Sequence, residues 1–351
     1  MPVQRPTWLP SYIPELQGLR GLAVLGVVLY HCHPRLVGTW LYYASLWGWA
    51  GVNLFFVLSG FLITTILLES RNKEKYFRNF YARRALRIWP VYLLVLVVCY
   101  SNAPWFIGSS VGDAVRTAPW WAYLLFLQNL FHLSLPPAIG QTWSLAIEEQ
   151  YYFVWAPVVR FLHRPWMLAA LLGAILVESP WMRMHHFAWL NPTHTFIHLD
   201  GIAIGSLIAL GLYTLRLSRR TWIFLGLSGL VLGVAATFTI ASGTAFLDSA
   251  LALGFAGAIL FSIATTGSKT LPLAALLGRG PLAFYGRISY GLYMIHIAVF
   301  IFLGWFDLRM DPYGIPGNLA VVAFRLASST IFAALLWYGF EAQILKLKRH
   351  F

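Results

Sequence analysis

Ten apolar runs recur along the chain, at approximately residues 15–33, 48–69, 88–107, 143–162, 165–180, 195–215, 222–240, 247–267, 288–306 and 318–345. A helix needs about 20 predominantly apolar residues to cross the hydrocarbon core of a bilayer. The pattern therefore predicts an all-α fold, a polytopic bundle of about ten transmembrane helices. One further stretch, Pro119–Phe131, is about 13 residues long and too short to span. A full crossing there would invert every later connection, so it reads as a short re-entrant or interfacial helix on the outer side. No internal repeat and no low-complexity linker is visible, and residues 1–351 read as a single transmembrane domain.

The polar residues between the runs set an orientation. Arg5, the group Arg71, Lys73, Lys75, Arg78, Arg83, Arg84 and Arg87, then Arg160, Arg164, Arg216, Arg219, Arg220, Lys269, Arg279, Arg287, Lys346, Lys348 and Arg349 make nineteen cations in one set of connections. The alternate set holds four, Arg35, Arg116, Arg183 and Arg309, while Arg20 and Arg325 fall inside runs. By the positive-inside rule the first set, and with it both termini, lies in the cytoplasm.

Composition agrees and removes one alternative. Hydrophobic residues make up 59% of the chain and charged ones 11%, against about 25% charged in soluble domains. Mean hydropathy is +0.68. Sixteen tryptophans suit the interfacial belts of a membrane protein. The formal charge of +13 does not indicate nucleic acid, because the cations punctuate apolar runs rather than gather on a water-facing domain. Cys32 and Cys99 suggest no disulfide framework. The first run ends in Tyr30-His31-Cys32-His33-Pro34, with no small-residue cleavage pattern, and is expected to be a retained span.

Candidate chemistry then stands out against the apolar background. Arg20 and His31 share the first run and are eleven residues apart, about three helical turns and about 16 Å of rise, hence on one face. Glu148 lies in the run 143–162. Ionisable groups inside a membrane are costly and mark functional sites. An imidazole beside a carboxylate is a general base, the carboxylate fixing the tautomer. Arg20 fits an anion or a carboxylate. An Arg–Glu structural pair with a backbone-bonded histidine is the other reading.

Arg83, Arg84 and Arg87 precede Ile88-Trp89-Pro90. Arg84 and Arg87 are at i,i+3 and can grip two phosphate oxygens of a cytosolic donor. The same cluster also suits a topological signal that binds anionic lipid. His194 and His198, with Asp200, His185 and His186 nearby, have a spacing that can bind zinc, but interfacial hydrogen bonding is the preferred reading and no metal is assigned. His296 falls in the ninth run. There is no GxSxG elbow, Walker loop or dinucleotide GxGxxG, and no histidine is followed five residues later by aspartate. A transferase built this way would use direct attack on a bound donor.

These pieces together resemble the membrane acyltransferase-3 family of bacterial O-acyltransferases, which modify polysaccharides, Nod factors and macrolides. The resemblance runs from Ile13 to about residue 340. It is carried by Glu15-Leu16-Gln17-Gly18-Leu19-Arg20-Gly21 with His31, by Phe55-Phe56-Val57-Leu58-Ser59-Gly60-Phe61-Leu62-Ile63, and by Arg83-Arg84 through Arg87-Ile88-Trp89-Pro90. Thr142-Trp143-Ser144-Leu145-Ala146-Ile147-Glu148-Glu149-Gln150-Tyr151-Tyr152 and Ser289-Tyr290-Gly291-Leu292-Tyr293 with His296 complete it. Gln17 stands where the family usually has an aspartate or lysine, and handling of the acceptor is expected to fall to the membrane part or a partner rather than to an esterase-like module after the last run.

The resemblance implies an integral-membrane O-acyltransferase of the bacterial inner membrane. It would move an acyl group, acetyl by default, from cytoplasmic acetyl-CoA or another acyl-CoA to a carbohydrate or lipid-linked glycan hydroxyl near the outer side, without a metal. His31 would be the base, with Arg20 and Glu148 beside it, and Arg83, Arg84 and Arg87 would hold the donor. Ser59, Asn129, Trp143, Ser144, Glu149, Gln150, Tyr290 and His296 would support substrate or structure. Membrane lipids are further expected partners, nucleic acid is not, and homo-oligomerisation is left open. A macrolide or other small-molecule acceptor is the alternative. A proton-coupled transporter or flippase is a more distant one, disfavoured by the missing inverted repeat.

Overall fold

A computed structural model describes residues 5–101, 118–130, 135–185, 187, 190–240, 244–267, 276–304 and 314–351. Among the described residues every regular element is helical. In chain order these are α1 (Glu15–His31), α2 (Trp40–Leu46), α3 (Ala50–Ser70), α4 (Tyr76–Ser101), α5 (Trp120–Leu124), α6 (Thr142–Phe161) and α7 (Pro165–His185). They continue with α8 (Leu199–Thr214), α9 (Arg219–Thr239), α10 (Leu247–Thr265), α11 (Gly280–Phe302), α12 (Gly314–Leu336) and the short α13 (Ala342–Leu345). Helices α3, α4, α7, α9, α10, α11 and the stretch Gly314–His350 are seven segments long and apolar enough to cross a membrane. The chain is accordingly a multi-pass membrane protein.

Local sequence explains the helix starts. Ser218 caps α9, its hydroxyl accepting from the Thr221 amide at 3.1 Å. Glu15 places a carboxylate in the first turn of α1, where the helix dipole favours it. Pro165 begins α7, at a position with no intrahelical N–H to lose.

Two helix starts lie well before those of the hydropathy reading. Helix α4 begins at Tyr76 rather than near residue 88, so Arg78, Arg83, Arg84 and Arg87 sit on helix, not in a connection. Arginine is a good helix former, and hydropathy marks only the apolar part of a helix that continues beyond it. Likewise α11 starts at Gly280, which places Arg287 inside it. Of the Pro119–Phe131 stretch, Trp120–Leu124 is a single short helix, and Phe126 follows with a positive φ of 55°. Phe131, Arg116, Lys269, Arg309 and His186 lie outside the described residues.

The chain divides into two compact units. The first comprises Met1–Ala23, Ala50–Tyr76 and Ile147–Gly286. Within it α8 packs on α3, α7 and α10, and α9 packs on α10. Glycines allow the close approach: a Cβ at Gly257 would fall on the Leu230 amide nitrogen, and one at Gly233 on the Gly254 amide nitrogen. Small residues at such crossings are how membrane helices gain contact without a hydrophobic driving force. Gly257→Leu is therefore expected to weaken the α9–α10 pair by about 1–3 kcal/mol or more. The melting midpoint in detergent checks this. Gly173→Leu serves as the control and should leave the midpoint unchanged, since nothing lies within 4 Å of a Cβ there.

The second unit comprises Val24–Trp49, Phe77–Ala146 and Arg287–Phe351. In it α12 packs against the 3-10 turn His33–Leu36 and runs into a π-helical turn, Trp337–Glu341. The sequence reading has one uninterrupted helix there. The π turn inserts an extra residue, which redirects the side chains that follow it.

Candidate functional site

Three polar clusters among the described residues hold candidate residues picked out from the sequence, each within one unit. The first, in the second unit, joins the C-terminal end of α1 to α11. His296 is fully buried. Its Nδ1 faces two backbone carbonyls, Tyr293 at 2.8 Å and Leu292 at 3.2 Å. Carbonyls only accept, so Nδ1 carries the proton and Nε2 of the neutral ring is an acceptor. That Nε2 lies 3.2 Å from Nδ1 of His31, which also faces the Val27 carbonyl at 2.9 Å. Both neighbours of His31 Nδ1 are acceptors, so the proton of the neutral His31 ring is on Nδ1. Its Nε2 then carries a lone pair, the atom a general base uses. The ring centroids are 4.9 Å apart.

One helical turn before His296, the Tyr293 hydroxyl donates to the Gln141 carbonyl at 3.0 Å and lies 2.6 Å from the Ser144 hydroxyl. Gln141 donates to the Met294 carbonyl at 2.8 Å. These bonds tie the start of α6 to α11 beside the histidine pair.

The second cluster lies in the first unit. Tyr152 donates to Glu148 Oε2 at 3.0 Å, one turn away on α6, and is itself hydrogen-bonded to Ser59 of α3. With Tyr152 committed to the carboxylate, the Ser59 hydroxyl donates to it. The short chain Ser59–Tyr152–Glu148 fixes the carboxylate's orientation. Gln150 accepts from the Thr195 hydroxyl.

The third cluster, in the second unit, surrounds Arg87. Its guanidinium pairs with Glu341 Oε2 at 3.4 Å and lies over the rings of Tyr290 (5.7 Å) and Trp337 (5.5 Å). Tyr290 donates to the Ile88 carbonyl at 2.6 Å. Glu341 ends the π turn, so that turn delivers the counter-charge to Arg87. Arg84 is half-buried on α4 and Arg83 is exposed.

The sequence-predicted residues thus fall into distinct settings. His31 meets His296, and Ser59 meets Glu148 through Tyr152. Ser144 reaches Tyr293, and Arg87 reaches Tyr290. Arg20 is on α1 with His31, eleven residues before it on one continuous helix. Asn129 is fully buried, while Trp143, Glu149 and Gln150 are half-buried along α6 or beside it. The tautomer-fixing contacts on His31 Nδ1 come from Val27 and His296, whereas the sequence reading gives that task to Glu148.

Tyr152, Tyr293 and Gln141 were not singled out from sequence, although both tyrosines stand inside the motifs quoted above. Glu341 and Trp337 carried no sequence signal. The His194/His198 pair behaves differently from a zinc site. Thr195–Ile197 is a 3-10 turn, so the i,i+4 face of an α-helix does not form there. His194 instead accepts from the Phe196 amide, and His198 Nε2 donates to the Pro192 carbonyl at 2.9 Å. Among the described residues no group of three or more His, Cys, Asp or Glu side chains is placed to hold a metal ion.

The described residues define a helical, multi-pass membrane protein with polar side chains buried among its helices. The sequence profile of the acyltransferase-3 family, described as an acyltransferase domain, matches residues 13–338, and the chain belongs to that family. It is 30% identical to a peptidoglycan O-acetyltransferase OatA of Listeria monocytogenes, over 82% of this chain and 49% of that protein. It is 26% identical to an O-acetyltransferase OatA of Staphylococcus aureus, over 90% and 54%. It is 28% identical to a putative peptidoglycan O-acetyltransferase YrhL of Bacillus subtilis, over 83% and 49%. The chain spans about half the length of the curated relatives it matches. No solved structure matches it.

Proposed function

We propose that the chain is an integral-membrane O-acetyltransferase of the bacterial cytoplasmic membrane, crossing it ten times with both termini inside. It moves an acetyl group from cytoplasmic acetyl-CoA to a carbohydrate hydroxyl near the outer side. The observation that carries this reading is the His31–His296 pair, which leaves a lone pair on His31 Nε2, in a chain of an acyltransferase family. The relatives' names favour a peptidoglycan glycan as acceptor class.

In this mechanism His31 Nε2 takes the proton of the acceptor hydroxyl as its oxygen attacks the thioester carbonyl. The carbon–sulfur bond breaks, and the CoA thiolate recovers the proton from His31. Glu148, held by Tyr152, is a further acidic residue that transfer is proposed to require. Arg20, on the same helix as His31, is a further residue that transfer is proposed to require. Exclusion of water limits loss of the thioester to hydrolysis.

The donor's phosphates meet the basic first turns of α4. Arg83 and Arg84 supply charge there, and Arg87, already paired with Glu341, completes the cluster. Replacing Arg84 and Arg87 together by alanine is expected to weaken acetyl-CoA binding by roughly tenfold for each charged hydrogen bond lost. Calorimetric titration in detergent reads this directly, and an unchanged dissociation constant rejects the docking site.

A further inference from the structure

We propose that His296 is the positioning residue for His31, filling the place that a carboxylate occupies in a Ser-His-Asp triad. The inference rests on the reading of His31 as the base and names the group that sets its protonation geometry. Three observations support it. His296 is fully buried, so its ring is not a surface group that solvent orients. Its Nδ1 is committed to the Tyr293 and Leu292 carbonyls, which leaves Nε2 only an acceptor role. That acceptor lies 3.2 Å from His31 Nδ1.

Val27 alone is a weak orienter. Its carbonyl is the i−4 acceptor of the helix ladder for the His31 amide, so the ring shares an oxygen that is already bonded. His296 adds an acceptor with no competing donor among the described residues. When His31 Nε2 takes the acceptor's proton, the positive charge spreads over the ring, and Nδ1–H donates more strongly to His296 Nε2. A neutral acceptor held there favours the imidazolium without itself gaining or losing a proton. Phe300, edge-on to His296 at 5.8 Å between centroids, and Tyr293 at 6.0 Å pack the ring in place.

Side-chain length separates this role from a structural one. Leucine at 296 removes both sets of bonds. Asparagine keeps a donor near the Nδ1 position, for the backbone carbonyls, but is too short to reach His31. Glutamine extends an oxygen to about the Nε2 position. The three variants, the wild type and His31→Ala are purified into nanodiscs, and CoA release from acetyl-CoA is followed with a soluble peptidoglycan glycan as acceptor.

The expected result is a fall in kcat of about 10²-fold for His296→Leu and His296→Asn, the lower end of what general-base catalysis contributes. KM for acetyl-CoA should stay within about twofold of the wild type. His296→Gln should recover at least about tenfold of the loss, as expected if an acceptor at that position is what matters. Wild-type kcat in His296→Asn overturns the proposal, as does an equal loss in all three variants accompanied by a parallel rise in KM. If His296→Leu fails to fold, the Asn-to-Gln comparison decides alone. Full activity of His31→Ala would instead remove the reading of His31 as base, and a wild type inert toward acetyl-CoA would remove the donor assignment, and the proposal falls with either.

Discussion

His31→Ala is expected to abolish acetyl transfer while leaving the protein folded and acetyl-CoA binding unchanged. The ring is half-buried and bonds only to the Val27 carbonyl and to His296 among the described residues. Its removal therefore takes away few contacts that hold helices together. In the proposed mechanism the ring has no substitute: without a base the acceptor hydroxyl must lose its proton to solvent that the interior excludes. A loss of about 10²–10⁴-fold in kcat follows from what a positioned base contributes. CoA release assays give the rate, and calorimetric titration of acetyl-CoA gives the binding. Retained activity would assign the base to another residue.

The largest stability effect is expected at Arg183. The sequence reading counts it as an outer connection, yet it sits in the last turn of α7 with only 11% of its side chain exposed. Its guanidinium donates to Asp200 at 2.7 Å, Ser249 at 2.8 Å, and the carbonyls of Ala245 (2.7 Å) and Ile197. Asp248 lies 3.8 Å away and accepts from Asn53 at 3.1 Å. This one side chain thus joins α3, α7, α8 and α10 within the first unit. Breaking a buried pair by removing one partner costs about 3–5 kcal/mol, because an uncompensated charge remains. Arg183→Met should lower the melting midpoint sharply, and adding Asp200→Asn should recover part of the loss. An unchanged midpoint in Arg183→Met would show the network to be dispensable.

Much of the helical framework was legible because long apolar runs have few alternatives in a membrane. Helices α3, α9 and α10 fall within a few residues of the runs that predicted them. Legibility failed where charge and helix coincide. The basic turns of α4 read as a connection because hydropathy does not register helix propensity. The histidines near residue 194 read as an i,i+4 pair because nothing local announces a 3-10 turn.

The candidate site's residues, though not their partners, were legible. His31, Glu148, Ser59 and His296 could be chosen as chemistry out of place in apolar runs, but their pairings could not. That His31 meets His296, 265 residues away, is a consequence of packing α11 against the end of α1. The Glu341 partner of Arg87 depends on a π turn that no residue pattern encodes visibly.

The most direct test of the account follows a radiolabelled acetyl group from acetyl-CoA. The protein is reconstituted in nanodiscs with peptidoglycan glycan, wild type beside His31→Ala. The account predicts ester-linked label on the glycan with the wild type, released by mild base, and none with the variant. Label transfer that survives the loss of His31, or a wild type that neither binds nor consumes acetyl-CoA, would contradict it.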